Sequence, residues 1–378
     1  MGKIIRLSRS MVGQAEAAAV ARVIVEDGYL GMGKEVQLFE EEIAEFLGVP
    51  KEWVVCVNSG TSALHLAVEA VTQPGDEVLT QALTYLATFQ AISAAGAVPV
   101  ASEVLPQKIT IDLQDAEKRL SSSTKAIVPV HYAGSPGNLD YIYGLAHKYN
   151  LRVIEDAAQA FGCTYKGQKI GSFGDIVCFS FDGIKNITSG EGGCVVTSDQ
   201  KVAQYLRDAR LLGVEKDTEK RYSGQRSWEF DVHRQGYRYH MSNIMAAIGR
   251  IQLGRFVGEF APRRQELARN YREILGKCDG IRFFDVDLNE IVPHIQPVRV
   301  LNGKRDALRA FLEKRNIGTG IHYKPNHLLT YYGGGRISLP VTEKLYEELL
   351  TLPLHSGLSD EDVEYVCENV EAFFESQT

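Results

Sequence analysis

The chain reads as an α/β protein: a mostly parallel central sheet with helices on both faces, followed by a smaller C-terminal α/β domain. Three observations predict this. Strand-like and helix-like runs alternate from Trp53 to Glu155, the pattern of parallel strands joined by crossover helices. A second set of strands and helices follows beyond residue 250, so the chain divides into 1–250 and 251–378. The 378 residues, 44% hydrophobic and 24% charged, are enough to bury a substantial core.

Taken in order, the alanine-rich N-terminal run is broken by Glu16, Arg22 and Glu26 and reads as an amphipathic helix rather than a secretory signal. From Glu35 to Leu47, Val36, Phe39, Ile43 and Phe46 recur at spacings of three and four, which predicts a helix covering one face of a core. Trp53 to Val57 is a short apolar strand, followed by the polar turn Asn58-Ser59-Gly60-Thr61-Ser62-Ala63 and a helix through Val71. Strands Glu77 to Leu79, Val98 to Val104, Ala126 to Val130 and Arg152 to Glu155 then alternate with helices Thr84 to Ala95, Leu113 to Leu120 and Leu139 to Lys148. Val177 to Phe181 and Cys194 to Thr197 are two further strands, with Gly190, Gly192 and Gly193 in the turn between them. The charged, aromatic stretch from Gly213 to Gln235 has no clear period and reads as a long loop, functional or mobile, expected to border the partner's site. A helix from Ala246 to Phe256 precedes the smaller domain, which holds Pro262 to Leu275, a strand from His294 to Val300 and a helix from Arg305 to Arg315.

Composition narrows the function. With 41 basic and 48 acidic residues the net charge is −7, and no basic run is interleaved with aromatics, which argues against nucleic acid and for small molecules. No stretch offers the roughly 20 apolar residues of a membrane span. The six cysteines lack a Cys-x-x-Cys pair and several lie in apolar runs, as reduced thiols do, so a cytoplasmic location is expected. Metal-ligand spacings, a Walker loop and a dinucleotide fingerprint are absent from the sequence.

The candidate chemistry lies at strand ends, where ligands of such sheets collect. Lys185 sits between a buried strand and a glycine turn. A lysine there is either a solvated strand-end residue or, with its proton affinity lowered, a nucleophile that forms a Schiff base with a carbonyl substrate or pyridoxal phosphate. Ser59, Gly60 and Thr61 open a helix after a strand, which suits an anion such as phosphate but equally an ordinary serine cap. Asp156 ends an apolar strand, where a carboxylate is costly unless a cation such as a protonated pyridine nitrogen meets it; Glu155 could instead be a paired structural acid. Gln159, a helical turn on, could reach the same ligand, and Tyr85 could stack on a flat ring or simply pack. With Ser180, these residues supply what pyridoxal phosphate needs.

Six segments resemble the DegT/DnrJ/StrS sugar aminotransferases in order and spacing along nearly the whole chain: residues 58–64, 74–78, 128–134, 155–160, 180–193 and 352–363. The resemblance implies the aspartate-aminotransferase type of fold (fold type I), a homodimer with shared active sites, and pyridoxal 5'-phosphate joined to Lys185. It further implies Asp156 on the pyridine nitrogen, Gln159 near the ring hydroxyl, Tyr85 on the ring, and Ser59, Gly60, Thr61 and Ser180 on the phosphate. Arg238 and His240 are its candidates for reaching the partner's phosphate. His322, Tyr323 and His327 look like the substrate-facing strand end, with Gly333, Gly334 and Gly335 as a flexible flap, although each histidine could equally be structural. His131 reads as a core histidine. Asp182 departs from the histidine the family often carries there.

The activity implied is amino transfer from an amino acid, glutamate, to a keto group of a nucleotide-linked sugar, a dTDP-4-keto-6-deoxyhexose. Alternatives are a keto-cyclitol aminotransferase, a sugar dehydratase of the same fold, or a non-catalytic sensor. The dehydratase relatives carry histidine in place of the lysine, so Lys185 counts against them, and a sensor would not need an amine at that point.

Overall fold

The computed structural model describes residues 3–376. Its strands are β1 (Val54–Val57), β2 (Glu77–Gln81), β3 (Val98–Ser102), β4 (Thr124–Val128), β5 (Arg152–Asp156), the short β6 (Thr164–Tyr165) and β7 (Gln168–Lys169), β8 (Ile176–Ser180), β9 (Gly193–Thr197), β10 (Ile281–Phe283), β11 (Gln296–Val300) and β12 (Leu349–Leu352). A seven-stranded sheet runs in the order β1-β9-β8-β5-β4-β2-β3. Only β9 opposes its neighbours, so the sheet is mostly parallel, as the alternation predicts. The strands β1, β5, β8 and β9 are almost wholly buried, because helices lie on both faces. One cluster, including Phe39, Ile43 and Phe179, packs beneath the helix Lys34–Leu47. Another, including Leu66, Val128 and Val195, packs beneath the helix Gly60–Glu69.

The smaller domain is a three-stranded antiparallel sheet, β10-β11-β12, packed on helices Ala261–Leu275, Arg305–Glu313 and Asp360–Glu375. The expected boundary at residue 250 falls within the helix Asn243–Arg255, whose Asn243, Ala246 and Ala247 are buried and which packs on the helix Lys34–Leu47 of the larger domain. Phe256 and Phe260 beyond it still belong to the larger domain's core, and Leu267 is the first residue after them in the smaller domain's core. The N-terminus also differs from expectation. Ile5 bridges in parallel to Ile317 and is buried in the small-domain core, so the segment around Ile5, ahead of the helix Gln14–Arg22, docks on the smaller domain.

The stretch from Gly213 to Gln235 is not all loop, for it contains the helix Asp217–Tyr222. Tyr222 bonds through its hydroxyl to the buried Glu40 and to Arg210. Arg210 in turn donates to the Cys56 carbonyl on β1. Beyond the stretch, residues 238 and 240 make antiparallel bridges to Leu211 and Val57, and Asn58 N donates to Tyr239 O at 2.7 Å. That segment therefore braces the turn that follows β1.

Candidate active site at the carboxyl ends of the strands

The parallel strands β1, β2, β4, β5 and β8 all point their carboxyl ends into one cavity of about 340 Å³, a size suited to a small cofactor and substrate. Ser59, Gly60, Thr61, Tyr85, Asp156, Gln159, Ser180 and Lys185 line it together, as do His322 and Tyr323.

The anion cup follows from local folding. Ser59 caps the helix Gly60–Glu69, its hydroxyl accepting from Ser62 N at 3.0 Å. Ser62 Oγ donates to Asn58 Oδ1, so the 2.8 Å contact between the two serines uses the Ser59 proton. The Ser59 hydroxyl thus serves the cap. The first-turn amides of Gly60 and Thr61 have no acceptor in their own helix and are left for an anion, with the helix dipole behind them. Two glycines allow the approach: a Cβ on Gly60 would lie 2.7 Å from Ser180 Cβ, and one on Gly193 would lie 2.6 Å from Ser59 O. Ser180 consequently stands directly against the helix start.

Lys185 belongs to the loop joining the antiparallel pair β8 and β9. Phe181 N to Gly192 O (2.8 Å) and Ser189 N to Phe181 O (2.9 Å) close that loop at its base. Asn186 pins it by donating to the carbonyls of Phe161 and Val292. Burial lowers the proton affinity of the Lys185 amine, an effect the charges of Asp182 and Asp156 partly oppose.

Asp156 is 5% exposed. Its carboxylate accepts from Thr88 Oγ1 at 2.7 Å and from Ala158 N at 3.3 Å and makes no ion pair among the described residues. Burial accordingly pushes its pKa up, against the pull of those two donors and of Lys185 and His131. Glu155 beside it is the structural acid, bonded to Tyr143 at 2.6 Å and set 3.1 Å from the buried His131. Gln159 is held from both ends: Oε1 accepts from Ala133 N at 2.7 Å, and Nε2 donates to the Tyr323 hydroxyl at 2.9 Å. Tyr85, 57% exposed, faces Tyr323 with ring centroids 5.3 Å apart.

His322 Nδ1 lies 2.9 Å from Thr351 Oγ1, and its carbonyl accepts from Tyr132. Burial and then Lys185 push its pKa down to about 4. His327, expected at the substrate-facing strand end, is not brought to the cavity wall with His322 and Tyr323. It is 1% exposed, lies outside the cavity, and pairs with Glu343 at 3.2 Å near the start of the helix Pro340–Glu348. Nor do Gly333 to Gly335 form a loose flap, since their amides bond back to Thr330, Leu329 and His327 in a compact turn.

Arg238 and His240 lie outside this chain's own cavity. Arg238 is exposed, while burial, then Arg238 and other arginines, push His240 down to about 4. Sequence reasoning missed His294, Glu191 and Thr84, which line the cavity, and Thr88 behind it. His294, opening an apolar strand, is the one whose polarity in such a run could have been noticed.

A lysine amine of lowered proton affinity, near an anion cup and a buried carboxylate that makes no ion pair among the described residues, fits a carbonyl cofactor that carries a phosphate and a basic ring nitrogen. On this sheet the combination defines a class: pyridoxal-phosphate-dependent aminotransferases of fold type I. The chain belongs to the DegT/DnrJ/EryC1/StrS aminotransferase family, whose model matches residues 11–371. It is similar to the spore coat polysaccharide biosynthesis protein SpsC of Bacillus subtilis, at 37% identity over 374 residues, covering 96% of this chain and 95% of that one. Among solved structures it resembles the aminotransferase TlmJ from Streptoalloteichus hindustanus, with a TM-score of 0.92, 34% identity and 100% of both chains covered. It also resembles Spr1654 from Streptococcus pneumoniae in its pyridoxal phosphate form, with a TM-score of 0.89, 29% identity and 99% of each chain covered. The protein is a sugar aminotransferase that uses pyridoxal phosphate. No helix among the described residues is long and apolar enough to cross a membrane.

Proposed function

We propose that this enzyme moves the amino group of L-glutamate to the keto carbon of a nucleotide-linked sugar, with a dTDP-4-keto-6-deoxyhexose as acceptor. It works in the cytoplasm as a homodimer whose two sites are shared. The observation that carries the reading is the convergence of Lys185, Asp156 and the Gly60–Thr61 amides on one cavity.

Pyridoxal phosphate, when bound, supplies a conjugated ring that takes up the electron pair left when a carbon bearing nitrogen loses its proton. The chain supplies the rest. The amides of Gly60 and Thr61 and the Ser180 hydroxyl bind the phosphate. Asp156 holds the proton on the ring nitrogen, which also gives its buried charge a partner. Lys185 Nζ takes the proton from one carbon and returns it to another as general base and acid, a role its burial favours by lowering its proton affinity. Tyr85, Tyr323 and His322 wall the cavity and exclude water. Arg238, exposed and permanently charged, suits the partner subunit's phosphate better than the neutral His240. The likeness to SpsC supports a surface polysaccharide as the destination of the amino sugar.

The test is purified enzyme with ¹⁵N-glutamate and a panel of nucleotide keto sugars and keto-cyclitols, read by mass. Labelled amine on a dTDP-4-keto-6-deoxyhexose is expected. Amination of a cyclitol alone, or of nothing in the panel, contradicts the proposal.

A further inference from the structure

Asp156 is the most deeply buried carboxylate lining the cavity, and its shortest side-chain hydrogen bond comes from a residue outside the cavity wall. Thr88, itself 1% exposed, lies on the helix Leu86–Ala94 and donates from Oγ1 to Asp156 Oδ2 at 2.7 Å. An ionised carboxylate can only accept, so the Thr88 proton is committed to it. The 3.0 Å contact between Thr84 Oγ1 and Thr88 Oγ1 must then run the other way, with Thr84 donating. Two hydroxyls are thereby aligned head to tail on Asp156. The upstream end is fixed as well, because Asn326 of the smaller domain donates from Nδ2 to the Thr84 carbonyl at 2.8 Å and from its amide to the Ala82 carbonyl.

We propose that Thr88 is a positioning residue for the ring-nitrogen carboxylate: the Thr84–Thr88 hydroxyl pair holds Asp156 ionised and in one rotamer, facing the cofactor ring. The proposal rests on the pyridoxal phosphate reading of the cavity. Hydrogen bonds to a charged group in a low-dielectric site are stronger than neutral ones, and a chain of two polarises further. Burial alone would drive Asp156 towards its neutral form, which could not hold a proton on the ring nitrogen. The Ala158 amide is the second donor, but at 3.3 Å it is the weaker contact. The remaining titratable neighbours among the described residues are Lys185, His131, Cys178 and Tyr323, and none of them hydrogen-bonds to Asp156.

The experiment compares holoenzymes of wild type, Thr88→Val and Thr88→Ser by the pH midpoint of the visible cofactor band and by the dissociation constant for pyridoxal phosphate. A protonated ring nitrogen draws electrons from the lysine–cofactor bond and makes its proton more acidic. Loosening Asp156 relaxes that pull, so Thr88→Val should move the midpoint upward by about half a pH unit or more. It should also weaken cofactor binding by about tenfold. Thr88→Ser, which keeps the hydroxyl, should restore both. A midpoint equal to wild type in Thr88→Val, or a serine variant that behaves like valine, overturns the positioning role in favour of packing. Should Thr88→Val not fold, a shifted midpoint in Thr88→Ser would itself contradict the proposal. A wild-type protein without any visible band would instead overturn the cofactor reading, so the two failures are distinguishable.

Discussion

The Gln159 amide donates to the Tyr323 hydroxyl at 2.9 Å while its carbonyl oxygen accepts from Ala133 N at 2.7 Å, so one side chain ties a turn of the large domain to a residue of the small one. Tyr323 is a wall of the cavity, and this bond sets where that wall stands. Tyr323→Phe should leave Gln159 Nε2 short of an acceptor and lower stability by about 1–3 kcal/mol, measured by urea unfolding. An unchanged midpoint would show that water replaces the hydroxyl at no cost.

Asp156→Asn keeps size and shape but can no longer hold a proton on the ring nitrogen. kcat should fall by orders of magnitude while the melting temperature stays close to wild type, because burying a neutral amide in place of an unpaired carboxylate costs the fold little. A defect confined to melting would make Asp156 purely structural.

His322 contributes to the pH dependence of the cofactor-free protein, alongside His240, His355 and His294, which burial also pushes down. Its pKa is pushed down to about 4 in the folded chain, against roughly 6.5 for an unperturbed histidine. Between those values the unfolded chain binds more protons than the folded one, so stability is full above about 6.5 and is lost as pH falls towards 4. His322→Gln should make the stability profile shallower across that window by the share of one histidine, leaving the slope due to His240, His355 and His294. Equal slopes for wild type and variant would mean that His322 titrates normally.

If each site is completed by the partner subunit, complementation between two inactive proteins reveals it. Arg238→Ala with His240→Ala, and separately Lys185→Ala, should each be nearly inactive. Refolded together, they form hybrids in which one site carries both lesions and the other carries none. About a quarter of all sites then regain full function if pairing in a two-fold dimer is random. No recovery, with hybrids confirmed by tags, would place Arg238 and His240 at their own subunit's site or in packing.

Much of this site was legible because its parts are contiguous. Ser59-Gly60-Thr61 between an apolar strand and a helix, and Lys185 before a glycine turn, carry their local geometry in their neighbours. What topology alone brings together was not legible. His327 looked like a cavity residue because it follows His322 and Tyr323 closely, yet its partner is Glu343, 16 residues further on, and the pair turns it into the core. Thr88 gives no local sign of its bond to Asp156, which lies 68 residues away. Nor was it legible that the helix Asn243–Arg255, within which residue 250 falls, packs on Lys34–Leu47, or that Ile5 docks beside Ile317, since both are long-range choices made by packing. The loop from 213 to 235 lacked a helical period because its one helix, Asp217–Tyr222, is too short to show one.

The central claim is that Lys185 Nζ is the amine that carries and serves the cofactor. The protein incubated with pyridoxal phosphate, reduced with borohydride, digested and read by mass spectrometry tests it most directly. The account predicts phosphopyridoxyl modification on Lys185 alone, and none in Lys185→Ala, which should still bind pyridoxamine phosphate through the Gly60–Thr61 cup without turning over. Stoichiometric modification of another lysine, or no modification under conditions that label a known enzyme of the same class, would contradict it.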